Sequence, residues 1–193
     1  MASKSKRALQ GQSKADKKVN FYLIAIPVLA FVIKLITMAN TPNGGWLGAD
    51  GENYLSGVDG LIAEGYFSEK SILSYWPAGY PILLWFLTKI SVANLLWIIS
   101  FLQSIFYAYA SYYFVKQLRD TKLRPYMFWI GMILAFNPTL SLSSMAVGYE
   151  SPIAACMLMV VGLIIKSKQS PNDRGLVIRV IGVGAFSALA SFM

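Results

Sequence analysis

Long apolar runs alternate with short polar breaks along this chain, and one break stands apart by its length. The first run covers residues 20–39, enough to cross about 30 Å of hydrocarbon as a helix. Further runs follow at about 92–115, 126–147, 152–165 and 176–193. The run at 152–165 is short, so its helix is expected to begin before Pro152, since proline is tolerated in a first turn. Asn137-Pro138 falls inside the third long run and predicts a kink there. Residues 79–90, GYPILLWFLTKI, are too few to cross and read as an interfacial or re-entrant helix. The pattern predicts an all-α, polytopic integral membrane protein with about five transmembrane helices and interfacial helices in its first outer loop. The last run carries no terminating signal, so the chain reads as the N-terminal portion of something longer.

The long polar break, residues 41–81, predicts a short helix over 51–64. Tyr54, Leu55, Val58, Leu61 and Ile62 form one apolar stripe there. The stripe suits a helix lying flat on a membrane, with Asp50 at the N-cap and Gly65 just past the end. Trp46, Tyr66, Tyr75, Trp76, Tyr80 and Trp85 supply the aromatic belt of a headgroup layer.

Composition confirms the class: 56% of residues are hydrophobic and 13% charged, more apolar surface than a soluble domain of 193 residues can bury. The net charge of +8 does not point to nucleic acid, because its carriers sit in clusters between the apolar runs. Six basic residues fall in 1–19, four in 116–124 and four in 166–179. Basic clusters mark the cytoplasmic side. They put the N-terminus in the cytoplasm and keep 79–90 from crossing, since a crossing there would send Lys116–Arg124 outside. Residues 1–19 then form a cytoplasmic basic segment, 20–193 a transmembrane domain, and about 40–91 an outer loop. Lys34, three-quarters of the way along the first span, is expected to snorkel outward. The absence of histidine excludes His-based triads and His-ligated metals, and the lone Cys156 excludes a disulfide framework.

Acid–base chemistry therefore falls to carboxylates. Five of the nine acidic residues lie in the loop: Asp50, Glu52, Asp59, Glu64 and Glu69. Asp50 is placed to cap a helix, which does not prevent it from reacting. Glu52 suits the positive end of the helix dipole. Asp59, Glu64 and Glu69 read as a solvated face. Glu150, the lone charge from 126 to 165, opens the turn before the fourth span. It is either an ordinary turn carboxylate or a functional group on the side that carries Asp50.

Asp50…Tyr54, then YWPAGYPILLWF, then FNPTLSLSSMAVGYESPIAA together resemble the polyprenyl-phosphate-sugar-dependent glycosyltransferases of the GT-C class. The likeness is to the bacterial protein mannosyltransferase and lipid A aminoarabinose transferase branch, and covers about residues 20–193. It implies a partial GT-C fold in the bacterial inner membrane. It also implies inverting transfer of a sugar from a polyprenyl-phosphate donor to a lipid, glycan or protein acceptor on the extracytoplasmic face. Asp50 matches the first acidic position of the family and Glu150 the second, with Glu52 as the alternative to Asp50. Tyr54, Trp76, Pro77, Tyr80 and Lys70 would meet substrate, although Trp76 also suits the interfacial belt. A divalent ion held by Asp50 and Glu150 would be Mg²⁺ or Mn²⁺, given all-oxygen ligation. Two rivals remain. A transporter or flippase would place coupling carboxylates near the midplane; a non-catalytic membrane subunit would need no site at all.

Overall fold

The computed structural model describes residues 2–48, 50–63, 78–171 and 174–193. Among them the regular structure is helical: α1 Ala2–Ala39, α2 Gly51–Ala63, α3 Gly79–Thr88, α4 Leu95–Gln117, α5 Met127–Phe136, α6 Glu150–Gln169 and α7 Leu176–Phe192. Three stretches are long and apolar enough to cross a bilayer: Val19–Ala39, Leu95–Asp120 and Glu150–Gln169. The basic N-terminal segment continues the first of these as one helix. α3 has ten residues, about 15 Å at the helical rise, half a bilayer core. α7 has seventeen, near the lower limit. Helix α6 does begin before Pro152, at Glu150.

Contacts at the helix ends fix the direction of each pass. Arg119 donates to the Asn20 side chain at 3.3 Å, and Gln169 to the Gln117 carbonyl at 2.9 Å. Arg179 donates to the Ser170 carbonyl at 2.8 Å. The basic residues of 116–124 and 166–179 therefore share one end of the bundle with the start of the apolar part of α1. At the other end, Trp46, Ser100 and Gln103 meet residues 145–148. Asp50 and Glu150 flank those contacts. The chain thus runs to and fro between a basic end and an acidic end, and α3 packs at the acidic one against α2 and the start of α4.

The third apolar run departs from expectation. Asn137-Pro138 does not kink a continuous helix: α5 stops at Phe136, and a widened turn over Pro138–Leu142 leads to a tight turn at Ser143–Met145. Proline removes a donor and blocks the preceding turn, so the last carbonyls of α5 need other partners. Tyr107 Oη donates to the Leu134 carbonyl at 2.9 Å and Ser141 Oγ to that of Ala135 at 2.6 Å. With these bonds the break is tolerated inside the bundle.

Two further expectations change. Lys34 does not snorkel: it is 4% exposed, and its Nζ donates to Ser144 Oγ at 2.8 Å and lies 4.9 Å from the centre of the Tyr107 ring. The break in α5 presents that hydroxyl, so the ammonium finds a partner inside. The stripe on α2 does not lie on a membrane surface either. Tyr54 and Val58 are buried against Tyr80, Leu84, Leu87, Leu95, Ile99 and Val147, and Leu55 packs on the same cluster. Tyr80, expected in the aromatic belt, is fully buried in this cluster.

Candidate functional site at the acidic end

A backbone clamp holds the two acidic loops together. Trp46 N–H donates to the Met145 carbonyl at 3.0 Å, and Val147 N–H to the Trp46 carbonyl at 2.8 Å. Ser100 Oγ donates to the same Met145 carbonyl at 3.1 Å, fastening the clamp to α4. The loop reaches this position through Gly44, whose φ of +76° favours glycine and whose missing Cβ makes room for the Trp97 ring.

Asp50 follows the clamp on one side and Glu150 on the other. Asp50 stands at the N-cap position of α2, its carbonyl accepting from Tyr54 N–H at 3.1 Å. Glu150 opens α6, where a carboxylate also suits the helix dipole. Its carboxylate folds back over Gly148, filling the space that a Cβ there would take. Asp50 is half-buried; Glu150, Glu52 and Asp59 are exposed.

Beneath the two acids lies a tyrosine layer. The Tyr54 ring meets Tyr80 edge-on at 5.1 Å and Tyr149 at 5.7 Å. Burial raises the Tyr54 pKa above the usual tyrosine value, Tyr149 adds to this through its charge and a hydrogen bond, and the charges of Glu150 and Asp50 push in the same direction. Both carboxylates therefore act on one hydroxyl, which stays protonated across the physiological range. Glu52 has no part in that shift. Tyr80 is also shifted upward, chiefly by burial; bonds from Gly148 and Gln103 oppose this, and the charge of Glu150 adds to it.

Tyr80 links α3 to the Glu150 turn. Its hydroxyl accepts from Gly148 N–H at 2.9 Å and from Gln103 Nε2, which also donates to the Gly148 carbonyl at 3.2 Å. Gln103 Oε1 is buried with no hydrogen-bond partner among the described residues. It is an acceptor left over at the site.

The structure thus brings together Asp50, Tyr54, Tyr80 and Glu150, with Tyr54 and Tyr80 as buried supports beneath the carboxylates. Glu52 projects on the exposed side of α2. Trp76, Pro77 and Lys70 lie outside the described residues, as do Glu64, Glu69, Gly65, Tyr66 and Tyr75. Among the described residues no three His, Cys, Asp or Glu side chains gather as a metal site. Among the described residues a cation would have Asp50 and Glu150, a pair whose all-oxygen chemistry suits Mg²⁺ held with water and substrate phosphate. Sequence reasoning missed Gln103, Gly148 and Tyr149. A lone amide in the apolar run LLWIISFLQSIF was the available signal for Gln103, because buried amides in such runs need partners. Compared with known proteins, the chain matches no family model, no curated protein and no solved structure.

Proposed function

We propose that the chain belongs to a membrane glycosyltransferase that moves a sugar from a polyprenyl-phosphate donor to an acceptor hydroxyl at the acidic end of the bundle. In this reading the five passes cross the membrane, the basic end lies in the cytoplasm and the acidic end faces outward. The clamp that joins the Asp50 loop to the Glu150 turn, about a hundred residues apart, with the Tyr54 ring 5.7 Å from that of Tyr149 beside Glu150, carries the reading. The likeness of Asp50, the aromatic and proline-rich stretch and Glu150 to GT-C glycosyltransferases supplies the reaction type.

Asp50 takes the proton of the acceptor hydroxyl as its oxygen bonds to the anomeric carbon. The bond from that carbon to the phosphate oxygen breaks, and lipid phosphate leaves with the electron pair. Positioning Asp50 at a helix start fixes the base before substrate arrives. Glu150 orients the acceptor, from a turn that Tyr80 and Gln103 hold through Gly148. Should Mg²⁺ or Mn²⁺ bind, Asp50 and Glu150 hold it, and it would neutralise charge on the departing phosphate. Lys89, with its ammonium 4.9 Å from the Trp85 ring centre just past the end of α3, is a described cation within the outer loop of about 40–91.

The test is an assay of the reconstituted protein with labelled polyprenyl-phosphate sugars. Asp50→Asn is expected to lower transfer by about 10²–10⁴-fold, the usual contribution of a general base. Its melting temperature should not change. Glu150→Gln is expected to weaken acceptor use, and Glu52→Gln to leave transfer intact. Full activity in Asp50→Asn removes the residue from the mechanism.

A second reading, transport, draws on one observation: Lys34 is an ionisable group buried within a span, where such groups commonly mark pathways. Substrate flux in liposomes that vanishes in Lys34→Met, without any transferase activity, would favour it.

A further inference from the structure

A groove of about 260 Å³ runs between α1, α4 and α5 from the basic end as far as Lys34. Its walls are apolar along most of their length, with Ile26 and Ala30 on one side and Ala108 and Gly131 on the others. Lys34 lies at its inner end and Arg124 at its basic end. From Val19 to Lys34 it follows α1 for fifteen residues, about 22 Å at the helical rise. The outer surfaces of the same helices expose Phe21, Ile24, Val28, Phe128, Trp129 and Ile133, so the groove opens among lipid-facing side chains.

Three observations bear on the occupant. The groove suits hydrocarbon, since most of its lining is apolar, with Tyr22, Ser111 and Tyr112 the polar side chains between its charged ends. Its basic end carries Arg124, in the basic cluster with Lys116, Arg119 and Lys122, so charge complementarity selects an anionic headgroup. A leaflet is about 15 Å deep, so a chain of leaflet length entering at Arg124 ends short of the Lys34 ammonium. Lys34 is satisfied by Ser144 and the Tyr107 ring, and closes the far end.

We propose that this groove seats one acyl chain of an anionic glycerophospholipid of the surrounding bilayer, its phosphate held at Arg124 and its chain running along α1 toward Lys34. The site is independent of the transfer reaction and requires only that the bundle lie in a bilayer. Lipid bound there would wedge α1 against α5 at the basic end.

The full chain, reconstituted in vesicles of equal parts phosphatidylcholine and phosphatidylglycerol, is irradiated with a trace of either lipid carrying a diazirine in one acyl chain. Labelled peptides are then mapped by mass spectrometry. The phosphatidylglycerol probe is expected to label α1 and α5 about fivefold more than the phosphatidylcholine probe, the preference one basic residue confers on an anionic headgroup. Arg124→Gln, a change at an exposed position, is expected to bring the two probes level. Gly131→Leu is expected to lower labelling by both; a Cβ there meets only Ile26 Cδ1 at an ordinary 3.6 Å, and helix content by circular dichroism checks that the fold is kept. Equal labelling by both probes in the unaltered chain overturns the proposal. So does a phosphatidylglycerol preference that persists in Arg124→Gln, or labelling that Gly131→Leu does not reduce.

Discussion

Lys34 sits at the centre of a polar thread inside an apolar bundle. Its ammonium donates to Ser144, whose hydroxyl lies 3.1 Å from Ser104 Oγ and donates to the Ser141 carbonyl at 2.7 Å. The partners in this thread are unequal. Removing the charge leaves Ser144 bonded to Ser104 and Ser141, whereas removing the hydroxyl strands a buried ammonium. Replacing a buried charge with an apolar side chain of similar length is often neutral or stabilising. Lys34→Met is therefore expected to keep or raise the melting temperature, while Ser144→Ala lowers stability by about 1–3 kcal/mol. Thermal unfolding of both variants in the same detergent checks this. Equal losses would show that the ammonium itself holds the bundle together. The sequence displayed Lys34 as a charge in a span, and snorkelling is the usual resolution; nothing local to residue 34 announces a hydroxyl 110 positions away.

At the scale of elements, the break after α5 and the turn before α6 do most to shape the acidic end. Asn137-Pro138 was legible as an interruption, since proline chemistry is local. That the interruption ends the helix was not legible, because it depends on Tyr107 and Ser141 taking up the freed carbonyls. The α2 stripe was legible as a stripe, yet its partner was not: periodicity shows that a face is apolar, not whether lipid or protein covers it. The Glu150 turn offers a clean test. A methyl group at Gly148 meets the Glu150 carboxylate, the free end of a flexible side chain, so Gly148→Ala should swing the acid away without disturbing the helices. Under the proposed function, transfer is expected to fall by about 10²-fold, as for other small misplacements at reacting centres, with helix content unchanged. Activity equal to that of the unaltered protein would show that the carboxylate's position is immaterial.

The whole molecule is polarised, with basic residues at one end of the helices and Asp50, Glu52 and Glu150 at the other. The clustering of basic residues between the apolar runs was readable in the sequence, and treating residues 79–90 as non-crossing put the clusters at 116–124 and 166–179 on one side. The contacts of Arg119, Gln169 and Arg179 bring them to one end of the bundle. The pairing of Asp50 with Glu150 was readable only as a shared side; contact between their loops depends on the Trp46–Ala146 bridge, for which the sequence carries no motif. Cys156 is the sole cysteine and is fully buried, so a Cys156→Ala background permits site-directed labelling. In whole cells, Glu52→Cys is expected to react with a membrane-impermeant maleimide, and Lys122→Cys only after permeabilisation. Labelling of both from outside would remove the bilayer from between the two ends.

The bridge between Trp46 and Ala146 also has a meaning in time. Ribosomes add about 5–20 residues per second, so Ala146 emerges roughly 5–20 s after Trp46. For that interval α2 has Tyr54 and Val58 made but neither Val147 nor Tyr149 to cover them, and Asp50 waits without its counterpart. A nascent chain halted before residue 145 would hold one carboxylate of the pair and two of the three tyrosines. The arrival of α6 is what closes the site.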